Sequence, residues 1–191
     1  IYAPLVLTHE KIIITNSQKR RSAVDERYHE RRIQCELALK ELQTVIAIRD
    51  LGELTAEVFE KVQEMITSPV RLRRARHAVT ENQRTIQAVE ALKRGDIFEF
   101  GQLMNASHLS LKEDYEVSCE ELDILVEEAW DIDGVLGSRM MGAGFGGCTV
   151  SIVEDCAVNE FIQRVGQNYE KRTGLHAEFY VVETGNGASV I

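Results

Sequence analysis

The spacing of apolar residues changes several times along the chain, and each change predicts a new element. The first strongly apolar run, Ile12, Ile13 and Ile14, is short and β-branched, which is typical of a buried strand. Ile1–Leu7 also has the composition of a strand interior, and the first residue is Ile instead of Met. We therefore expect the chain to be a fragment or an excised domain.

Three long stretches of three- and four-residue apolar spacing then predict amphipathic helices. The first begins near Asp25 and places Tyr28 on its inward face. The second begins at Thr55 and is broken at Ser68–Pro69, because proline disfavours helical backbone at the residue before it. The third ends at Gly95, a residue that readily adopts the left-handed conformation of a helix end.

Two capping-box patterns predict the starts of the next helices. Asp96 with Glu99 and Ser118 with Glu121 both have the required three-residue spacing, and apolar residues at helical spacing follow each pair. These two helix starts are the most specific boundaries that the sequence offers.

The last third of the chain predicts strands over residues 135–141 and 148–153, a helix over 158–169 and a final strand over 177–182. Successive strands with a short link pair as antiparallel hairpins. The order strand, helices, two strands, helix, strand therefore predicts an α+β fold. In this two-layer sandwich, helices cover one face of a small antiparallel sheet.

Composition and charge argue against several classes of protein. The 191 residues carry a formal net charge of −9, which argues against a nucleic-acid surface, so the basic runs 19–21 and 71–76 are interpreted as solvated helix faces. The cysteines form no Cys-x-x-Cys pair, which indicates neither zinc nor disulfides. No stretch approaches the roughly 18 apolar residues of a membrane span. We expect one reduced, cytoplasmic domain without a nucleic-acid or membrane partner.

A glycine-rich segment carries the most specific chemical signal. It contains the spacing G-x-G-x-x-G, but a β-like stretch follows it where a dinucleotide site needs a helix, and no Lys-Ser or Lys-Thr pair closes it as in a phosphate-binding P-loop. Two interpretations remain open: an anion-binding concavity of backbone amides, or a wide hairpin packed beneath Phe145. The segment consists of Gly142, Ala143, Gly144, Phe145, Gly146 and Gly147.

Residues 139–148 resemble the third conserved motif of the GHMP kinases, small-molecule kinases named for galactokinase, homoserine kinase, mevalonate kinase and phosphomevalonate kinase. Phe145 and the Gly-Gly-Cys that follows it resemble the corresponding residues of the galactokinase branch. Segments 16–35, 73–82 and 114–123 resemble that branch in the same order and spacing. In their order and spacing, the four segments extend over nearly the whole chain.

The resemblance implies a ferredoxin-like C-terminal domain over residues 1–191, with residues 1–10 alternatively ending a missing N-terminal domain. ATP, with Mg²⁺, and galactose would bind in the cleft between the two domains. Tyr28 matches a tyrosine that contacts the sugar, and Gly142–Gly147 match a loop beside the phosphates. The catalytic acid and its arginine belong to the absent half, so the resemblance gives this chain neither a catalytic residue nor a metal ligand.

Several alternatives stay open. Met141 stands where the family usually has threonine, and a thioether cannot donate a hydrogen bond as a hydroxyl can. Tyr28 could also be an ordinary helix-start aromatic that packs on the core. The leading hypothesis is the C-terminal half of a galactokinase that is inactive alone. The rivals are an N-acetylgalactosamine kinase, a non-catalytic sensor of sugar and ATP, and a ferredoxin-like interaction domain without a ligand.

Overall fold

In a computed structural model the described residues are 3–20 and 24–185. They form four strands and six α-helices, in the predicted order. Residues 3–7 form no strand, so the interpretation of the first residues as a strand interior is wrong for this part. The elements are β1 (Glu10–Asn16), α1 (Val24–Leu42), α2 (Ala56–Val62), α3 (Pro69–Lys93), α4 (Ile97–Glu113), α5 (Glu120–Trp130), β2 (Val135–Met140), β3 (Cys148–Glu154), α6 (Val158–Thr173) and β4 (Glu178–Val182).

The sheet has the strand order β2-β3-β1-β4, and every neighbouring pair is antiparallel. At the centre of the sheet, Ile13 on β1 is opposite Ser151 on β3 and Val181 on β4. This interleaving of strands, with helices between β1 and β2 and between β3 and β4, is the split β-α-β arrangement of ferredoxin-like folds. The predicted α+β sandwich is confirmed.

Two large apolar cores, and a smaller one beside residues 142–147, stabilise the described part of the domain. On one face of the sheet, Ile13 and Val153 pack against α5 and α6, where Phe161 and Tyr169 are also fully buried. A second core lies between α1, α2 and α3, away from the sheet. Because these helices bury one another, the helical layer has an apolar interior of its own.

Helix α4 covers the outer edge of strand β2. The carboxamide oxygen of Asn105 accepts a hydrogen bond from the amide of Ser138 at 2.8 Å, and Nδ1 of His108 accepts one from the amide of Met140 at 3.2 Å. Unpaired amides along a sheet edge would otherwise be open to another strand. The polar face of α4 thus closes this edge of the sheet.

The same contact requires two glycines. A Cβ atom on Gly101 of α4 would lie 2.2 Å from the carbonyl oxygen of Leu136, and one on Gly137 of β2 would lie 2.3 Å from the carbonyl oxygen of Gly101. Only hydrogen atoms fit between these backbones, so α4 and β2 approach more closely than any pair with side chains could.

The structure confirms the cap predicted at Asp96 and contradicts the one predicted at Ser118. The Asp96 carboxylate accepts a hydrogen bond from the amide of Glu99 at 2.8 Å, as predicted. Ser118 is not a cap, because its hydroxyl donates to the carboxylate of Asp123 and Cys119 occupies the N-cap position. Ser68–Pro69, predicted to break a helix, begins α3 with Ser68 as the cap.

We expect Gly101→Ala to destabilise the domain by about 3 kcal/mol, since the added methyl group must push two backbones apart. Gly95→Ala is the control: its Cβ would have no atom within 4 Å, so only its left-handed backbone conformation is penalised, by about 1 kcal/mol. Urea unfolding of both variants measures the difference. Equal losses would contradict the close α4–β2 contact.

Candidate functional site

The glycine-rich segment forms the turn between β2 and β3. The amide of Met141 donates to the carbonyl of Cys148 at 3.0 Å, which closes the hairpin, and residues 142–147 form the loop beyond that bond. Every loop residue except Ala143 has a φ angle between 58° and 121°. This left-handed region is accessible to glycine at little cost, which accounts for the four glycines.

Phe145 holds the loop against the body of the domain. Its ring is only 7% exposed and packs with Val117, Leu122 and Met140. Its amide donates to the carbonyl of Val117 at 2.8 Å, and a Cβ atom on Gly144 would lie 2.0 Å from the same oxygen. The loop is therefore a wide hairpin packed on Phe145, one of the two interpretations that the sequence left open.

The remaining amides of the loop leave room for the other interpretation. Within the described ranges, the amides of Gly142, Ala143, Gly144, Gly146 and Gly147 donate no hydrogen bond. The loop is fixed from below by Phe145 and from the side by Ser17, whose amide donates to the carbonyl of Gly147 at 2.9 Å. Rigid backbone donors without partners suit an anion, so the phosphate-side role stays a prediction.

Two cations lie beside the loop. The guanidinium carbon of Arg27 lies 5.1 Å from the centroid of the Phe145 ring, and this guanidinium makes no ion pair with any side chain that the structure describes. Lys19 pairs with Glu121, and this hydrogen bond raises the pKa of the Lys19 ammonium. The charge of Lys19 is thus offset by its partner, and the Arg27 guanidinium places positive charge beside the loop on the side of α1.

Tyr28 lies outside the core, so its predicted place on an inward helix face is wrong. The side chain is 51% exposed, and residues 26–30 are all exposed, whereas the buried residues of α1, Ala38 and Leu42, lie further along the helix. The start of α1 extends beyond the helices that cover its second half. Because Arg27 contacts Phe145, this exposed start lies against the glycine loop.

The arginine-rich run 71–76 is not the solvated face that its charge suggested. Arg74 is only 1% exposed, and Arg71 and Arg73 are partly buried in ion pairs with Glu41 and Glu116. The run lies on α3 and faces α1 and the loop between α4 and α5. Sequence charge alone could not reveal this, because the acceptors lie some 30 to 40 positions away along the chain.

An aromatic pair lies beneath the α4–α5 loop. The rings of His77 and Tyr115 stack with centroids 4.5 Å apart, and Nδ1 of His77 lies 2.9 Å from the hydroxyl of Ser110. Burial lowers the pKa of His77 to about 4 and raises the pKa of Tyr115 to about 12. Both rings are therefore neutral at neutral pH and act as packing groups, without an acid–base role.

A cavity of about 360 Å³ lies elsewhere, on the sheet face opposite α5 and α6. Apolar side chains of β1, β3, α3 and α4 dominate its lining. Its polar members bond to one another: the Arg139 guanidinium donates to the Ser107 hydroxyl at 2.8 Å, and the Arg84 guanidinium donates to the Glu81 carboxylate at the same distance. Neither Tyr28 nor the glycine loop contributes to it.

The family model described as GHMP kinases C terminal matches residues 88–171, which include the glycine loop. Galactokinase of Fusobacterium nucleatum is 53% identical over this entire chain, which covers 49% of that protein. The chain belongs to the galactokinase family. It corresponds to the C-terminal half of such proteins and spans about half the length of the relatives that it matches. Galactokinase of Bacillus subtilis is 48% identical over 98% of the chain and is covered to 48%.

Solved structures agree with a galactokinase C-terminal half. Lactococcus lactis galactokinase, solved in complex with galactose, superimposes with a TM-score of 0.93 at 45% identity, over 97% of this chain and 48% of that one. Mevalonate kinase of L. major superimposes over 91% of the chain with a TM-score of 0.52 at 21% identity, which shows a shared fold alone. The small four-stranded sheet with its helices is thus the galactokinase C-terminal fold.

Two further properties concern metals and membranes. No group of three or more His, Cys, Asp and Glu side chains in residues 3–20 and 24–185 could hold a metal ion. Over the same ranges, none of the helices combines the length and the apolar character that a membrane crossing requires.

We expect Gly144→Ala to destabilise this galactokinase domain by about 2 kcal/mol more than Gly174→Ala. Both glycines have left-handed backbones, with φ of 80° and 73°, but a Cβ on Gly174 would have no atom within 4 Å. The difference in unfolding free energy therefore isolates the collision with the Val117 carbonyl. Losses of equal size would mean that the loop moves away from Val117 without cost.

Proposed function

We propose that the whole protein transfers the γ-phosphoryl group of ATP to the C1 hydroxyl of galactose, and that this chain forms one wall of the active-site cleft. The observation that carries the proposal is the set of glycine-loop amides that donate to no group in residues 3–20 and 24–185. The loop is fixed beside the exposed start of α1, which carries Tyr28. Membership in the galactokinase family, at about 50% identity, supports this choice of reaction and sugar.

Phosphoryl transfer depends mainly on positioning and on electrostatic stabilisation of the charged oxygens. In the proposed reaction the C1 oxygen bonds to the γ-phosphorus while the bond to the bridging oxygen of ADP breaks. The hydroxyl proton passes to a base in the other half of the protein. The loop amides would donate hydrogen bonds to phosphate oxygens, and Arg27 would add positive charge beside them.

Tyr28 would serve the sugar side of the same cleft. A phenol that is half exposed in this chain can keep its hydroxyl free while its ring covers a sugar face. It carries no acid–base step in the proposal. Its task is orientation of galactose relative to the phosphate.

Magnesium would accompany ATP, since divalent ions bridge the β- and γ-phosphate oxygens in this class of reaction. The described part of the chain offers no cluster of metal-ligating side chains. The resemblance to the GHMP kinases gives this chain no metal ligand, so the proposal assigns any protein ligands of Mg²⁺ to the other half. ATP as a substrate and the unpaired cysteines together favour a cytoplasmic location.

The chain alone should be inactive. Residues 1–191 supply one domain in this proposal, and neither a base nor a nucleotide phosphate loop is assigned to it. The exposure of the start of α1 agrees with this proposal, because each of two domains that share a cleft forms only one of its walls. The N-terminal half is thus the required partner, together with galactose and ATP.

The full-length protein is expected to phosphorylate galactose, and this chain alone is not. In the full-length protein, Tyr28→Phe should raise KM for galactose about tenfold, because one hydrogen bond to the sugar is lost. Tyr180→Phe is the matched control, since Tyr180 is 50% exposed on β4 and bonds only Glu178 there. A coupled ADP-release assay with galactose and N-acetylgalactosamine measures both.

The outcomes separate the rival functions. Transfer to N-acetylgalactosamine in preference to galactose would replace the proposed sugar. Binding of galactose and ATP without any transfer would contradict the kinase proposal and favour a sensor. Failure to bind either ligand would favour the hypothesis of a ferredoxin-like interaction domain without a ligand. Equal effects of the two tyrosine substitutions would remove Tyr28 from the site.

Met141→Thr in the full-length protein should raise kcat/KM several-fold, because a hydroxyl at the mouth of the loop adds one donor worth about 1 kcal/mol. The backbone bond from Met141 to Cys148 does not involve the side chain, so the hairpin should persist. Met65→Thr repeats the exchange at an exposed position away from the loop. A fall in kcat/KM with Met141→Thr alone would show that the thioether itself serves the reaction.

A further inference from the structure

Three arginines from two helices donate hydrogen bonds to the short loop between α4 and α5. This loop, residues 114–119, follows directly on α4 and ends where α5 begins. Arg74 and Arg73 reach it from α3, and Arg31 reaches it from α1. Such a concentration of guanidinium groups on one loop is not needed to close a helix–helix connection.

Arg74 is the centre of this cluster. Its guanidinium is almost completely buried and donates to the carboxamide oxygen of Gln34 at 2.8 Å, to the carbonyl oxygen of Asp114 and to the carboxylate of Glu116. A buried charge is tolerated only when it is paired and hydrogen-bonded. The loop thus supplies Arg74 with acceptors from both its backbone and a side chain.

Arg31 joins the loop to the helix that carries Tyr28. Its Nε donates to the carbonyl of Tyr115 at 2.9 Å and its Nη2 donates to the carbonyl of Glu116 at 3.1 Å. Arg31 lies three residues after Tyr28, about one helical turn. The position of the loop therefore follows the position of that turn of α1.

Glu116 ties these contacts together. Its carboxylate lies between Arg74 and Arg73, with the Arg73 bond at 2.8 Å, and the hydrogen bond from Arg74 is the main cause that lowers the pKa of this carboxyl group. Its backbone has a φ of 55°, a left-handed conformation that is unfavourable for a glutamate. The arginine contacts hold the chain in this turn.

Val117 connects the turn at Glu116 to the glycine loop. Val117 follows Glu116, and its carbonyl accepts the amide of Phe145 at 2.8 Å with no space for a side chain at Gly144. The α4–α5 loop therefore contacts α1 through Arg31 on one side and the glycine loop through Val117 on the other. It is a spacer between two parts of the site.

We propose that Glu116 and Arg74 are positioning residues that fix the glycine loop relative to the turn of α1 that carries Tyr28. The proposal rests on the proposed function, because those two parts are assigned there to the phosphate and to the sugar. Without the Glu116 carboxylate, the arginines would no longer hold the left-handed turn in place. Val117 could then shift, and the glycine loop that it contacts would move relative to α1. Sugar and phosphate would then meet in poorer alignment.

A second ion pair provides a matched control. Arg71 on α3 donates to the carboxylate of Glu41 on α1 with two hydrogen bonds, at 3.1 and 2.9 Å. The pair joins α1 and α3, the two helices whose arginines reach the α4–α5 loop, and Glu41 is less exposed than Glu116. The side chains of this pair contact neither the α4–α5 loop nor the glycine loop. Glu41→Gln therefore reports the cost of losing an arginine–carboxylate pair in the helical layer alone.

The experiment compares Glu116→Gln with Glu41→Gln in the full-length protein. Kinetics with galactose and ATP, melting temperature and amide hydrogen exchange of residues 142–147 are measured for each. We expect Glu116→Gln to lower kcat about tenfold or more, since small misplacements in a phosphoryl-transfer site are costly. Exchange in the loop should accelerate, and Glu41→Gln should change neither kcat beyond twofold nor loop exchange. Glu116→Asp, which keeps the charge, should recover part of the loss.

Two results would overturn the proposal. One is an equal loss of kcat in both variants that follows the fall in melting temperature, which would make the cluster a general stabiliser. The other is unchanged loop exchange in Glu116→Gln. If this variant does not fold, Glu116→Asp takes its place with the same criteria. If the wild-type protein transfers no phosphate, the proposed function fails, and hydrogen exchange still decides whether Glu116 holds the loop.

Discussion

One hydrogen bond, from the amide of Phe145 to the carbonyl of Val117, joins the two loops on which the candidate site depends. It forms only because Gly144 has no side chain and Glu116 accepts a left-handed turn. Through it the hairpin at the end of β2 is connected to the helical layer of α1 and α3. Neither loop has a regular structure of its own, so each takes its shape from the other.

The general arrangement of elements could be predicted from the sequence because it depends on local pattern. The β-branched run at Ile12–Ile14 and the apolar spacing of the long helices depend on nearby residues, and the structure confirms the order of elements. Asp96 works as a cap for the same reason, since its acceptor and donor lie three positions apart. The hairpin at the glycine loop was likewise visible in the change from strand to glycine and back to strand.

The remaining features depend on partners that are distant in the chain. The helical periodicity of α1 predicted that its inward face continues to Tyr28. A helix can, however, extend beyond the neighbouring helices that bury it, and periodicity does not show where those neighbours end. Ser118 has the spacing of a cap, yet the carboxylate of Asp123 competes for its hydroxyl. The arginines of α3 have the charge of a solvated surface, and acceptors on α1 and in residues 114–116, distant in the chain, make their burial possible.

Burial of Arg74 has a consequence for the order of folding. A guanidinium can leave water only after its acceptors have arrived, and here they come from Gln34 and from the α4–α5 loop, both about forty residues away in opposite directions. Helices α1 and α3 therefore cannot complete their packing while that loop is still free. Assembly of the helical layer and construction of the candidate site should be a single cooperative event, so partial unfolding that spares one and opens the other is disfavoured.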